Sequence, residues 1–225
     1  MISIQNLNKA YGTIPILFDI NLEFERGSIY GIVGRNGAGK TTLFKCIAGL
    51  VVHSGTIISE LQPLKNYLGY LQTEPYFFSK ITGREYLQLL LNSRQLPWND
   101  LDSKNIFDLP LDQYASTYST GMKKKLALTA ILLQQNEVFI LDEPFNGVDI
   151  QSNIIIQQVL QKLRLMNKTI LLSSHIFSTL KDSCDHILLL DQGHIIKSVN
   201  KDGFDSLEHE LQDVEVDKRV EKMFE

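Results

Sequence analysis

The chain has 225 residues, of which 44% are hydrophobic and 21% charged, with a formal net charge of -4. That length holds one full-sized core, and the mild acidity argues against a nucleic-acid binder, which carries a basic domain or stripe. Met1 to Gly12 lacks the long apolar run of a secretory leader, and no stretch approaches the roughly 20 apolar residues of a membrane span, so work at a membrane is expected to go through a partner.

In chain order, Ile2–Leu7 and Ile20–Glu25 alternate polar and apolar residues, as half-buried antiparallel strands do. Ser28–Val33 reads as a buried strand, followed by a glycine-rich turn and a helix from Lys40 to about Leu50. Thr56–Ser59 and Leu68–Gln72 read as strands, and Gly83–Arg94 has the apolar spacing of a helix. Pro97–Asp100 and Leu109-Pro110 break the pattern before a helix predicted from Gly121 to about Gln134. Strand and helix then alternate: Glu137–Leu141, Ser152–Met166, Thr169–Ser173, Ile176–Lys181 and His186–Leu190. A hairpin turn at Asp191–His194 precedes the strand Ile195–Val199. The expected fold class is α/β: a mostly parallel sheet with covering helices and an N-terminal antiparallel β layer. The charged tail places Leu207, Leu211 and Val214 on one helical face, which suits a solvated helix packed by one side or a dimer contact. Cys46 and Cys184 form no metal-like or CxxC spacing and read as small buried thiols.

Gly34-Arg35-Asn36-Gly37-Ala38-Gly39-Lys40-Thr41 fits G-x-x-x-x-G-K-S/T, between a buried strand and a helix. Glycines let successive backbone N–H groups curl around phosphate oxygens. The helix start aims unpaired N–H groups and a positive dipole end at the same anion. In such a loop Lys40 reaches the β- and γ-phosphates and the Thr41 hydroxyl ligates Mg²⁺. The loop specifies a nucleoside triphosphate.

Val138–Leu141 is an apolar run suited to a strand buried on both faces, and Asp142 and Glu143 follow it. Asp142 would emerge at the carboxyl end of the strand, where open α/β sheets bind ligands. There it can hold Mg²⁺ through water, and Glu143 can orient or deprotonate an attacking water.

Further residues, in the right order, make the chain resemble the ATPase subunits of ABC transporters from about Ile2 to Val199. Tyr118-Ser119-Thr120-Gly121-Met122 is similar to the signature motif, with Thr120 in place of a glycine and Met122 in place of a glutamine. Gln72 matches the Q-loop glutamine, Asn146–Asp149 the D-loop, His175 the switch histidine, and Tyr11 the aromatic that stacks on adenine. Ser119 and Asp149 also read as N-caps of the helices that follow.

The resemblance implies a P-loop core with a helical subdomain at about 74–134 and a helical tail at 200–225. It implies an ATPase that uses ATP and Mg²⁺. Glu143, His175 and Lys40 would be catalytic; Tyr11, Gly34 to Thr42 (with Arg35, Asn36, Gly37, Ala38, Gly39, Lys40 and Thr41), Ser119, Gly121 and Asp149 would bind nucleotide; Thr41, Gln72 and Asp142 would hold the metal. It further implies a homodimer or heterodimer of ATP-binding subunits, closed by ATP, on a separate membrane permease at the cytoplasmic face, without nucleic acid. The short form and its Tyr-Ser-Thr-Gly-Met-Lys segment resemble bacterial exporter ATPases. The alternative is an ABC ATPase serving a soluble machine such as iron–sulfur cluster assembly, which composition does not separate from the first reading. Pro75-Tyr76-Phe77-Phe78 reads as a docking groove for a partner protein or as packing within the helical region. Lys123-Lys124-Lys125 reads as a solvated helix face.

Overall fold

The computed structural model describes residues 1–212. Two sheets organise them. In the first, β1 (Ile2–Tyr11) lies between β2 (Ile14–Phe24) and β4 (Ser54–Ser59), all antiparallel. Its inward residues, among them Ile2, Ile4 and Leu7 of β1 and Leu17, Ile20 and Phe24 of β2, are buried. Both long strands outrun the stretches that alternate cleanly. The register shifts between Ile4 and Leu7, where Asn6 takes a φ of 50°, and a bulge of this kind interrupts the period of two on which the sequence reading depends.

The second sheet has the order β5 (Leu68–Leu71), β6 (Val138–Asp142), β7 (Thr169–Ser174), β3 (Ile29–Val33), β8 (His186–Asp191), β9 (His194–Asn200). Its first five strands run parallel, and β9 returns antiparallel through a tight hairpin. Every residue of β3, β6 and β7 is buried, as central strands covered on both faces require. The register pairs Val33 with Ser174 and Asp142 with Ser173. Three strands therefore end along one edge of the sheet, and the segments that follow them meet there.

Side chains of β3 divide by alternation. Tyr30 and Ile32 join a core shared with the antiparallel sheet and with Leu43 and Phe44 of α1 (Lys40–Ile47). Ile29 and Val33 join the core on the opposite face, under the remaining helices. Helix α1 stops earlier than predicted, because Gly49 follows its cap at a φ of 69°, the left-handed conformation that ends helices.

Helix α2 (Gly83–Asn92) begins with a capping box between Thr82 and Glu85. Between it and α3 (Thr120–Leu133) the chain is mostly irregular, pinned by buried Leu101, Phe107, Leu109 and Leu111. Arg84 holds this stretch by ion pairs with Asp102 and Asp112. Then come α4 (Ile150–Leu165), α5 (Phe177–Ser183) and α6 (Phe204–Gln212). Helix α6 packs by one side: Phe204 and Leu207 are buried, Leu211 packs on the core, and Lys181 of α5 pairs with Asp205 and Glu208. Val214 lies outside the described residues. Cys46 and Cys184 are free and buried; burial pushes the Cys46 thiol up to about 11 and that of Cys184 higher still. Among the described residues no helix is long and apolar enough to cross a membrane.

The solvated lysine face is corrected at Lys124, which is 2% exposed. Helix α3 is enclosed over most of its circumference, with Gly121 and every residue from Leu126 to Ile131 buried, so a lysine one turn from its start faces protein. The aromatic run divides between its two readings. Phe77 packs against Tyr86 with ring centroids 4.6 Å apart, whereas Tyr76 and Phe78 are 75% and 56% exposed.

Candidate active site

The loop Gly34–Gly39 joins β3 to α1, and its residues Arg35 to Gly39 line a cleft of about 330 Å³. Gly37 and Gly39 take φ values of 84° and 111°, open to glycine at no steric cost. No side chain caps α1, which leaves its first N–H groups directed at the cleft. A Cβ on Gly34 would stand 2.2 Å from the Leu190 carbonyl oxygen, so only glycine lets the loop rest on the end of β8. The Lys40 ammonium lies back across the loop and donates to the carbonyls of Gly34 (2.7 Å) and Arg35 (3.3 Å). Arg35, Asn36, Ala38, Thr41 and Thr42 also line the cleft.

The Thr41 hydroxyl donates to Asp142 Oδ2 at 2.6 Å. Asp142 is fully buried, and its other oxygen accepts from the Ser173 hydroxyl at 2.6 Å. Ser173 also accepts from the Glu143 backbone N–H at 3.0 Å. Glu143 turns away from the strand at a φ of 53°. Its Oε2 lies 2.9 Å from Nδ1 of His175, at the end of β7. Phosphate loop, acidic pair and histidine are thus brought together by strand register.

The remaining predicted residues lie around this centre. Gln72 is exposed just after β5, and its neighbour Thr73 lines the cleft. Tyr11 ends β1, 44% exposed, with the Lys9 ammonium 4.4 Å from its ring centroid. Ser119 caps α3, accepting from the Met122 N–H at 3.2 Å, and Gly121 is buried behind it. Neither of them lines the cleft. Asp149 caps α4, accepting from the N–H and hydroxyl of Ser152, both at 2.8 Å, and from Lys125 at 3.1 Å. The backbone and hydroxyl bonds from Ser152, then Lys125, hold its carboxyl well below the usual range.

Sequence reasoning missed Ile16, which lines the cleft from β2, and Ser173. A signal for Ser173 existed, since it is the first polar residue after the apolar run Ile170–Leu172, near the end of its strand. Ile16 is placed by a sheet that packs from outside the P-loop core, and nothing local marks it.

Fold and site together define a P-loop nucleoside triphosphatase. Residues 17–146 match the ABC transporter family. The chain is 36% identical over 213 residues to the bacitracin transport ATP-binding protein BcrA of Enterococcus faecalis, covering 89% of this chain and 69% of that protein. It is 32% identical over 220 residues to the lantibiotic transport ATP-binding protein SrtF of Streptococcus pyogenes, covering 92% and 94%. The chain belongs to the ABC transporter family, as an ATP-binding subunit with ATPase activity. These relatives lend no support to the soluble-machine alternative. The fold is that of a solved ATP-binding subunit of an ABC transporter (TM-score 0.79, 23% identity, 100% of both chains). It is also that of the ATP-binding cassette MJ0796, solved as a dimer in a post-hydrolysis state with ADP and Pi (TM-score 0.81, 19% identity, 89% of this chain and 99% of that one).

Proposed function

We propose that this chain drives a separate membrane permease at the cytoplasmic face by closing on a second ATP-binding subunit, identical or related, around Mg²⁺·ATP. The observation that carries the proposal is the division of the site. Phosphate loop, Asp142 and Glu143 line one cleft, with His175 bonded to Glu143 beside it, while Ser119, which caps α3, and Gly121 in its first turn stay outside with no bond to that cluster. A second copy can supply those two groups to the γ-phosphate, so ATP would hold the pair shut and ADP would release it.

Within one chain, Lys40 would exchange its bonds to the loop carbonyls for phosphate oxygens. Glu143 would orient and deprotonate the attacking water, with His175 holding Glu143 and the γ-phosphate. Tyr11 would stack on adenine, and Asp149 would link the two sites. Thr41 and Asp142 place a hydroxyl and a carboxylate oxygen 2.6 Å apart, the hard donor set that Mg²⁺ takes; Gln72 would join them. Bound there, the cation would neutralise charge on the β- and γ-phosphates.

Tyr76 and Phe78 stand exposed on the helical region at about 74–134 and offer a contact for the permease. The names of the two relatives, for bacitracin and lantibiotic transport, support a peptide antibiotic as the cargo. The test is purification of tagged Glu143→Gln protein with ATP and Mg²⁺ from detergent-solubilised cells. A multi-span membrane protein should co-purify; recovery of soluble partners alone would overturn the transporter assembly and leave the ATPase intact.

A further inference from the structure

We infer that Lys124 is a positioning residue for hydrolysis, tying the helix that carries Ser119 and Gly121 to the turn that carries Glu143 in the same chain. The inference rests on the reading of Glu143 as the base. The Lys124 ammonium donates to the backbone carbonyls of Glu143 and Asn146, both at 2.8 Å. The Glu143 carbonyl also accepts from the Asn146 N–H at 3.2 Å, so one buried cation clamps both ends of a tight turn. Glu143 itself sits in the left-handed region at a φ of 53°, a conformation that persists only where its surroundings hold it.

A buried cation is costly unless it is well bonded, and two charge-assisted bonds to carbonyls offset that cost. Burial lowers the pKa of Lys124, while the charges of Glu143, Asp142 and Glu74 act to raise it.

Lys124 is the middle of three successive fastenings. A Cβ on Gly121 would lie 2.5 Å from the Gly147 carbonyl oxygen, so the first turn of α3 rests directly on the backbone beyond the turn. Lys125 reaches Asp149 and Ser152, both at 3.1 Å. Helix α3 and residues 143–152 therefore behave as one block. A shift of Ser119 and Gly121 on meeting a phosphate held by the partner subunit would be carried to the Glu143 backbone. Of the three fastenings, only Lys124 holds the backbone of Glu143 itself. It does not line the phosphate cleft, so its loss should act on turnover and spare nucleotide binding.

The experiment compares full-length Lys124→Met, Lys124→Gln and Glu143→Gln with the unaltered chain, measuring kcat, ATP Kd and melting temperature. Lys124→Met keeps the stem and removes the donors. Its kcat should fall about tenfold to a hundredfold, the scale of a misplaced catalytic group, with Kd unchanged within about threefold. A purely structural lysine would lower the melting temperature and leave kcat of the folded fraction alone. Lost turnover in Glu143→Gln with near-normal kcat in Lys124→Met, or parallel losses of kcat and affinity, would overturn the inference and leave the base assignment standing. Near-normal turnover in Glu143→Gln would remove the base assignment and the inference with it. Should Lys124→Met fail to fold, Lys124→Gln carries the same comparison, because its amide is uncharged and one bond too short to hold both carbonyls; near-normal kcat in it would likewise overturn the inference.

Discussion

Asp142 and Ser173 face each other across two paired strands, and the Ser173 hydroxyl donates to the carboxylate at 2.6 Å. The same hydroxyl accepts from the Glu143 N–H, so one small side chain steadies both acids. Ser173→Ala leaves a buried carboxylate oxygen and a backbone N–H short of a partner. The expected destabilisation is about 1–3 kcal/mol, the cost of a buried group left unsatisfied. The Mg²⁺ concentration for half-maximal ATPase activity should rise about 10- to 100-fold, as it does when the support of a metal ligand is lost. A magnesium titration alongside thermal melting checks both figures, and an unchanged magnesium requirement would detach Ser173 from the proposed metal site.

Glu143→Gln is nearly isosteric and keeps an oxygen that His175 can bond, but it cannot take a proton. Steady-state ATP hydrolysis should drop by about 10²–10⁴, the range for removing a general base, while ATP binding persists. Size-exclusion chromatography with ATP should then show a dimer that ADP does not support. Hydrolysis within a few-fold of normal would move the role of base elsewhere.

How much of this was legible beforehand depends on how local the signal is. The phosphate loop and the acidic strand end were readable because residues adjacent in sequence act together. Their convergence was readable too, since buried parallel strands end along one edge. Lys124 was misread because three consecutive lysines look solvated until the enclosure of α3 is known, and that enclosure comes from elements elsewhere in the chain. The tail was read by its helical face, but Phe204, which anchors the start of α6, lay outside the stripe of leucines and valine used to find it.

Asp149 supplies a pH test. Its carboxyl is held low, chiefly by Ser152 and then by Lys125. A depressed folded-state value means the ionised form stabilises the fold. That contribution is whole above the unfolded value of about 3.9 and is lost as pH falls from there through the lower folded value. Asp149→Asn keeps an N-cap oxygen but drops the charge. The melting-temperature gap between the two proteins should be constant near neutrality and should narrow below about pH 4. A gap that stays the same down to about pH 3 would mean the carboxylate charge contributes nothing.

Gly193 sits in the hairpin between β8 and β9 at a φ of 82°, and it holds the phosphate loop from outside. Its N–H donates to the Ala38 carbonyl at 3.1 Å, and its own carbonyl accepts from the Phe18 N–H at 3.0 Å. A Cβ there would stand 2.2 Å from the Ile16 carbonyl oxygen and 2.8 Å from the Phe18 ring. Ile16 and Ala38 both line the cleft, so relief of the clash either displaces the Ile16 backbone or shifts the hairpin that bonds Ala38. Gly193→Ala should cost about 1–3 kcal/mol of stability from backbone strain alone and weaken ATP binding about tenfold, roughly 1.4 kcal/mol. Gly49→Ala is the control: its φ is also positive, at 69°, yet nothing lies within 4 Å of the added carbon. It should lose about 1–2 kcal/mol of stability with ATP affinity unchanged. Isothermal titration and thermal melting on the pair separate the two effects, and equal affinity in both variants would show that the hairpin does not position the loop.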